Sequence, residues 1–220
     1  MMRNSRDRRA VVVMAKRPAP GHTKTRLTPA LSPEQAASFY ECLLVDTLRL
    51  IQDRSDCTPI VAIDAPESTD YFAEMAPGLV QLVQHGEELG DRLDSVMTAC
   101  LANGYDRVFA VGSDSPDLPA EHLDDAFGAL DRDDVDMVLG PTNDGGYYLI
   151  GWKQRWSKVV TDVQMSTPQV LEDTLAIAQE VGARVHLSPT WYDIDTPDDL
   201  DRLRAAAGAP LRSAAFLANL

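Results

Sequence analysis

Strand-like and helix-like patterns alternate along almost the whole chain, and that alternation constrains the fold more than any other feature. Val11, Val12 and Val13 read as a buried strand, and the apolar runs at 59–63, 79–83, 108–111, 137–139, 147–150 and 184–187 read as further strands. A helix is expected from Pro33, with Ser32 as N-cap and Gln35 completing a capping box. Its apolar face runs through Ala36, Phe39, Tyr40, Leu43, Leu44, Leu48 and Ile51 at helical spacing. Shorter helices are expected over 67–75, 89–101 (Leu93, Val96, Met97 and Cys100 inward) and 120–130, with another starting at Thr167 and Pro168. A last one is capped by Thr196, with Pro197 first and Asp199 as capping partner. Such alternation predicts an α/β fold with a mainly parallel central sheet and helices on both faces, whose ligands sit beyond the carboxyl ends of the strands.

The length of 220 residues suits one such domain, and 45% apolar residues suffice for a core without disulfide or metal staples. No repeat or linker divides the chain. The expected organisation is a lead-in over 1–9, one nucleotide-binding domain over 10–207 and an Ala-rich surface helix in a tail over 208–220. Cys42, Cys57 and Cys100 are odd in number and scattered, which predicts reduced thiols in a cytoplasmic protein. Arg3, Arg6, Arg8 and Arg9 precede an apolar run too short for a signal peptide, and no stretch is long enough for a membrane span. The formal net charge of −14 argues against nucleic acid or an anionic membrane as partner. Oligomeric state leaves no mark in the sequence.

Against that acidic background one loop is cationic. Lys16, Arg17, Lys24 and Arg26 follow the first strand with no acid among them, on a segment stiffened by Pro18 and Pro20. Gly21 permits close backbone approach, and Lys16, Lys24 and Arg26 supply donors for phosphate oxygens. The Walker A pattern does not fit, because Thr23 stands where glycine would precede the lysine, and no GxGxxG follows the strand. Asp114, in Gly112-Ser113-Asp114, ends an apolar strand and so projects toward the ligand crevice, where a carboxylate suits a hard divalent cation. Asp117 is read only as a helix-start acid. Asp193 and Asp195, if extended, share one face and are further metal candidates, though support of the next helix is the simpler alternative. Asp144, Gly145 and Gly146 form either a substrate-binding loop or a plain hairpin turn. The segment 86–92 is a substrate loop or a helix entry, and the four histidines show no metal spacing.

The strings AKRPAPGHTKTRL, GSDSPDL, NDGGYYLIG and YDIDTPDDL, in this order from Val11 to about Leu203, resemble the glycosyltransferase-A-like proteins grouped with arsenosugar-type glycosyltransferases. More distantly the chain is similar to guanylyltransferases that activate phospholactate or phosphoenolpyruvate, through a KxRL loop and a DIDTPEDL-like ending. The resemblance implies a Rossmann-like nucleotide-diphospho-sugar transferase (GT-A) fold and a nucleotide donor held by Mg²⁺ or Mn²⁺. By motif position it implies Lys24 and Arg26 at the donor phosphates, Asp114 as the principal metal aspartate and Asp195 as its partner. Pro18 and Pro20 stand where nucleotidyltransferases of this fold carry a glycine-rich LxxGxGxR loop. The expected activity is glycosyl transfer to a small-molecule acceptor, with Lys24, Arg26 and Asp114 as the catalytic group. The alternatives are nucleotidyl transfer with release of pyrophosphate, and a catalytically silent nucleotide-binding module.

Overall fold

The computed structural model describes residues 9–205 and 211–220. The expected lead-in over 1–8 and the boundary at 207/208 lie outside the described residues, and Arg9, assigned to the lead-in, already opens the first strand.

The valine run forms β1 (Arg9–Met14), buried at its four central residues. β2 (Thr58–Ile63) and β4 (Arg107–Val111) flank it in parallel, and β3 (Val80–Val83) adds in parallel to β2. β6 (Tyr147–Trp152) runs antiparallel to both β4 and β5 (Met137–Pro141), and β7 (Val185–Leu187) lies parallel to β5. The sheet order is therefore β3-β2-β1-β4-β6-β5-β7. The central strands β1, β2, β4, β5 and β6 are almost wholly apolar because both their faces are covered, whereas the edge strands β3 and β7 carry Gln81 and His186.

Strand periodicity sorts the core into two layers. Val11, Val13, Val61, Ile63, Phe109 and Val138 face α1 (Pro33–Gln52), α2 (Thr69–Met75) and α4 (Ala120–Asp131). Ala10, Val12, Ile60, Ala62, Val108 and Met137 face α3 (Leu89–Ala102), α5 (Lys158–Thr161) and α6 (Val170–Glu180). Side chains as large as Trp152, Phe39 and Phe109 are fully buried, each worth about 1.5–3 kcal/mol of apolar transfer. Two glycines make room inside the sheet: a Cβ on Gly151 would meet the Phe109 ring at 2.4 Å, and one on Gly140 the Tyr148 ring at 2.4 Å.

The caps of α1 form as the residues dictate: Gln35 N donates to Ser32 Oγ at 3.2 Å and Ser32 N to Gln35 Oε1 at 2.8 Å. At α7 (Pro197–Ala205) the Asp199 carboxylate accepts from Thr196 N at 2.8 Å and from Asp195 N at 3.1 Å. Thr196 Oγ1 donates to that carboxylate as well, so Asp199 rather than Thr196 does the capping. Two expectations change. α6 begins at Val170, not at Thr167, because Gly145 O takes the Leu171 amide at 3.0 Å and residues 165–168 turn along a cleft instead. The C-terminal helix α8 (Arg212–Ala218) is docked, not a surface tail. Its Leu217 joins Leu43, Ile194, Leu200 and Leu203 in a third apolar cluster outside α1. Its N-terminal amides, Arg212 N at 3.0 Å and Ser213 N at 2.8 Å, donate to the buried Asp46 carboxylate of α1.

Candidate active site

β1 and β4 are parallel neighbours at the middle of the sheet, so the loops leaving their carboxyl ends open on the same edge. A third segment, 191–196, is laced to the β4 loop. Ile194 N donates to Asp114 O at 2.9 Å, and Ser115 Oγ donates to Asp193 Oδ1 at 2.7 Å and Tyr192 O at 3.1 Å. Tyr192 hydroxyl also donates to Asp117, so that carboxylate ties two loops together in addition to preceding α4. This lacing brings Asp114 and Asp195, far apart in sequence, to one point.

Lys24 stands at that point. Its Nζ lies 2.6 Å from Asp195 Oδ1 and 3.0 Å from Asp114 Oδ1, with the side chain 5% exposed. Burial alone would lower the ammonium pKa, but the Asp114 and Asp195 charges outweigh it and hold it above the ordinary lysine value. Lys24 has φ 50, a left-handed conformation unusual for a residue with a Cβ, and it precedes a 3₁₀ turn over Thr25–Leu27 that is anchored by the buried Leu27. The lysine is therefore clasped by carboxylates rather than extended into an open phosphate loop. Arg26 stays in solvent: its side chain is 70% exposed, with Nη1 3.7 Å from Asp195 Oδ2. Lys16 is exposed on the same cleft. Gly21 sits in a turn closed by His22 N and Thr23 N on Ala19 O and has φ 75; it does not line the cleft, and its glycine is required by conformation rather than by close approach.

The carboxylates fit a divalent ion in part of the expected way. Asp114 Oδ1 is buried and, despite the nearby ammonium, receives no hydrogen bond of proper direction. Mg²⁺ is commonly held by one or two carboxylates plus substrate phosphates, which is what the Asp114–Asp195 pair offers. Asp193 turns to Ser115 instead, and among the described residues no group of three His, Cys, Asp or Glu side chains is placed to share a metal. Burial, with Asp114 adding to it, pushes the Asp193 carboxyl up to about 7.

The cleft has two lobes that meet at Lys16, Arg26, Leu89, Asp114, Ser166 and Asp195. The first, about 440 Å³, runs under the β1 loop past Tyr40, Gln84 and Arg92. The second, about 570 Å³, is lined by Thr142, Asp144, Gly146, Tyr147, Thr167 and Asp193. Segment 142–146 is thus both a hairpin connection between antiparallel β5 and β6 and a cleft wall. Asp144 Oδ1 braces the turn by accepting from Thr142 Oγ1 at 2.5 Å and Gly146 N at 3.2 Å. Gly145 stays out of the lining. At φ 88 it lets the hairpin press on the strap before α6, where a Cβ would lie 1.9 Å from Pro168 O. In segment 86–92, Leu89 reaches the cleft while Arg92 spends its guanidinium on Gly86 O at 3.2 Å and Glu87 O at 2.9 Å.

Several cleft residues are not marked in the sequence, Tyr40, Gln84, Ser113 and Ser166 among them. Tyr40 was assigned to the apolar face of α1, yet its hydroxyl accepts from Lys16 N at 3.2 Å and bonds Ser113 Oγ at 2.9 Å, joining the two loops. Burial, with the Asp114 charge, pushes its phenol up to about 12. Gln84 Nε2 donates to Ala15 O at 3.0 Å and Ala62 O at 2.7 Å, bracing the strand ends. Ser113 and Ser166 line the cleft too, and Ser166 has φ 62. No local pattern marks any of the four.

A seven-stranded sheet with one reversed strand and a cleft at the ends of β1 and β4 defines the Rossmann-like nucleotide-diphospho-sugar transferase fold. It superimposes with a TM-score of 0.87 on the crystal structure of a candidate nucleotide-diphospho-sugar transferase from Desulfovibrio desulfuricans G20, at 28% identity over 96% of this chain and 94% of that one. The chain belongs to the family described as uncharacterized protein conserved in bacteria (DUF2064), which matches residues 47–167 and so includes Asp114 and the 142–146 hairpin. A segment of 126 residues is 32% identical to 2-phospho-L-lactate guanylyltransferase of Methanothermobacter thermautotrophicus, covering 57% of this chain and about half (54%) of that relative. CMP:2-keto-3-deoxy-manno-octonic acid synthetase shares the fold at 13% identity and a TM-score of 0.60, over 90% of this chain and 97% of that one. Among the described residues no helix is long and apolar enough to cross a membrane.

Proposed function

We propose that this chain is a metal-dependent transferase that takes a nucleotide-diphosphate sugar as donor and moves the glycosyl group to a small-molecule acceptor. The observation that carries this reading is the convergence of Asp114 and Asp195 on Lys24 Nζ, at 3.0 and 2.6 Å, where a cationic lobe and a second lobe join. Asp114 and Asp195 would hold Mg²⁺ or Mn²⁺, which when bound neutralises charge on the departing diphosphate. Arg26 and Lys16, exposed on the rim, bind diphosphate oxygens through charge-assisted hydrogen bonds. Lys24 keeps the two carboxylates together and adds a fixed positive charge beside the leaving group, stabilisation that requires no reorganisation during reaction. Tyr40 holds the β1 and β4 loops at a constant spacing, so these groups stay aimed at one place.

A second reading, nucleotidyl transfer from a nucleoside triphosphate, is favoured by the 32% identical segment shared with 2-phospho-L-lactate guanylyltransferase. The products separate the two. Purified protein is incubated with Mg²⁺ and panels of nucleotide sugars and nucleoside triphosphates, with mixed small-molecule acceptors, and nucleoside diphosphate and pyrophosphate are measured. Acceptor-dependent release of nucleoside diphosphate without pyrophosphate is expected. Pyrophosphate formed in step with acceptor consumption would replace the first reading by the second. Should neither product form, and no nucleotide raise the melting temperature with or without Mg²⁺, both readings fail; a ligand at a hundred times its Kd adds about 2.7 kcal/mol.

A further inference from the structure

The two lobes differ in chemistry. Lys16 and Arg26 stand on the shared rim, whereas Asp144 and Asp193 line the second lobe alone. Beyond the rim, the described lining of that lobe carries carboxylates and no ammonium or guanidinium. Asp144 is exposed there on a turn that its own carboxylate braces. Ser166 and Thr167 add hydroxyls on the facing strap. Ser166 is held at φ 62, a strained conformation kept where the lobes meet. Tyr147 and Val170 supply apolar surface.

A phosphate ester brings a charge of about −1.5 to −2 at neutral pH and, beyond the rim, would meet the exposed Asp144 carboxylate with no cation opposite it. A neutral polyol meets acceptors for its O–H donors and an apolar surface for its carbons. We propose that the second lobe takes an uncharged, hydroxyl-rich acceptor, a polyol or free sugar, and discriminates against its phosphate esters. This rests on the donor reading of the cleft. In the transfer, an acceptor hydroxyl oxygen bonds to the anomeric carbon as that carbon's bond to the diphosphate oxygen breaks. The nucleoside diphosphate leaves with the electron pair, and the hydroxyl proton passes to solvent.

The test uses matched pairs, glycerol against glycerol 3-phosphate and glucose against glucose 6-phosphate. Binding to the full chain is titrated by saturation-transfer-difference NMR, with and without UDP or GDP and Mg²⁺. The neutral member should bind at least about fivefold more tightly in each pair, an electrostatic margin of the size expected for a partly exposed site. Thr167→Lys, which leaves the Asp144 turn intact, and Asp144→Lys should each shift the ratio about tenfold toward the phosphate ester. Equal or tighter binding of the phosphate esters to the unaltered protein would overturn the proposal, as would a ratio unmoved by Thr167→Lys or no binding of either neutral compound. Failure of UDP and GDP to bind would overturn the donor reading instead, while the ratios measured without nucleotide still decide the acceptor class.

Discussion

Lys24 is the residue on which the cleft turns. Its backbone adopts φ 50, its ammonium is buried, and its two partners are the carboxylates proposed to hold a divalent ion. An ordinary phosphate-binding lysine would leave its charge in solvent, whereas this one keeps Asp114 and Asp195 from repelling each other. Removing it leaves two like charges facing across a few ångströms. Because both carboxylates are about one-third exposed, the cost is that of a partly screened pair, about 1–3 kcal/mol. Lys24→Met should therefore lower the melting temperature in the absence of divalent ions, and millimolar Mg²⁺ should restore more stability to this variant than it adds to the unaltered protein. Equal Mg²⁺ shifts in calorimetric melting would remove the metal from the Asp114–Asp195 pair. Asp114 and Lys24 were recognisable from position alone, one at a strand end and one in a cationic loop. That they belong to one site was expected as well; their direct ion pair across 90 residues was not, because it depends on which strands are neighbours.

Among the elements, the short strand β7 is held by side-chain contacts as well as by its ladder. It has three residues at the sheet edge, with Leu187 48% exposed, and His186 Nε2 lies 2.9 Å from Asp125 Oδ2. Just before it, Arg184 donates from Nε at 2.7 Å and Nη2 at 2.9 Å to the Asp136 carboxylate at the start of β5, and Arg184 N adds a third bond at 3.0 Å. The Arg184 hydrogen bonds hold the Asp136 pKa down to about 2, against 3.8 ordinarily. A depressed carboxylate pKa stabilises the fold above the unfolded value and loses that contribution as pH falls from about 4 through 2. Asp136→Asn should cost on the order of 1 kcal/mol at neutral pH and flatten the acid limb of the stability curve between pH 4 and 2. Urea melts across that range would sink the assignment if the two proteins lost stability in parallel. The same elements show where local signals end. Ser32-Pro33-Gln35 determined where α1 starts, whereas the onset of α6 was set by a carbonyl of the 142–146 hairpin.

For the molecule as a whole, the C-terminal helix is the part whose place the chain composition conceals. Asp46 is 4% exposed and accepts from Arg212 N, Ser213 N and Ser213 Oγ at 3.0, 2.8 and 2.7 Å, a carboxylate set against the amino end of α8. Phe216 packs on Phe39 with ring centroids 5.9 Å apart, on the helix that also carries Tyr40 into the cleft. Asp46→Ala should destabilise the protein by about 2–3 kcal/mol, from charge-assisted hydrogen bonds and buried donors left unpaired. Hydrogen exchange in 211–220 should rise well before that of β1. Unchanged exchange there would mean that apolar contacts alone hold α8.

The sequence by itself determined most of the elements, the two-sided cover of the sheet and which charged residues line the cleft. Strand and helix periods, capping residues and apolar runs are short-range signals, and loops that follow parallel strands necessarily gather at one edge. The tertiary structure alone decided strand order, the reversal of β6 and the docking of α8. It alone also placed Lys24 against two aspartates, turned Asp193 toward Ser115 and brought Tyr40 and Ser166 to the cleft. These depend on contacts between residues tens of positions apart. Such contacts are selected by packing and by the need to satisfy buried charges and amides, and no window along the chain contains both partners.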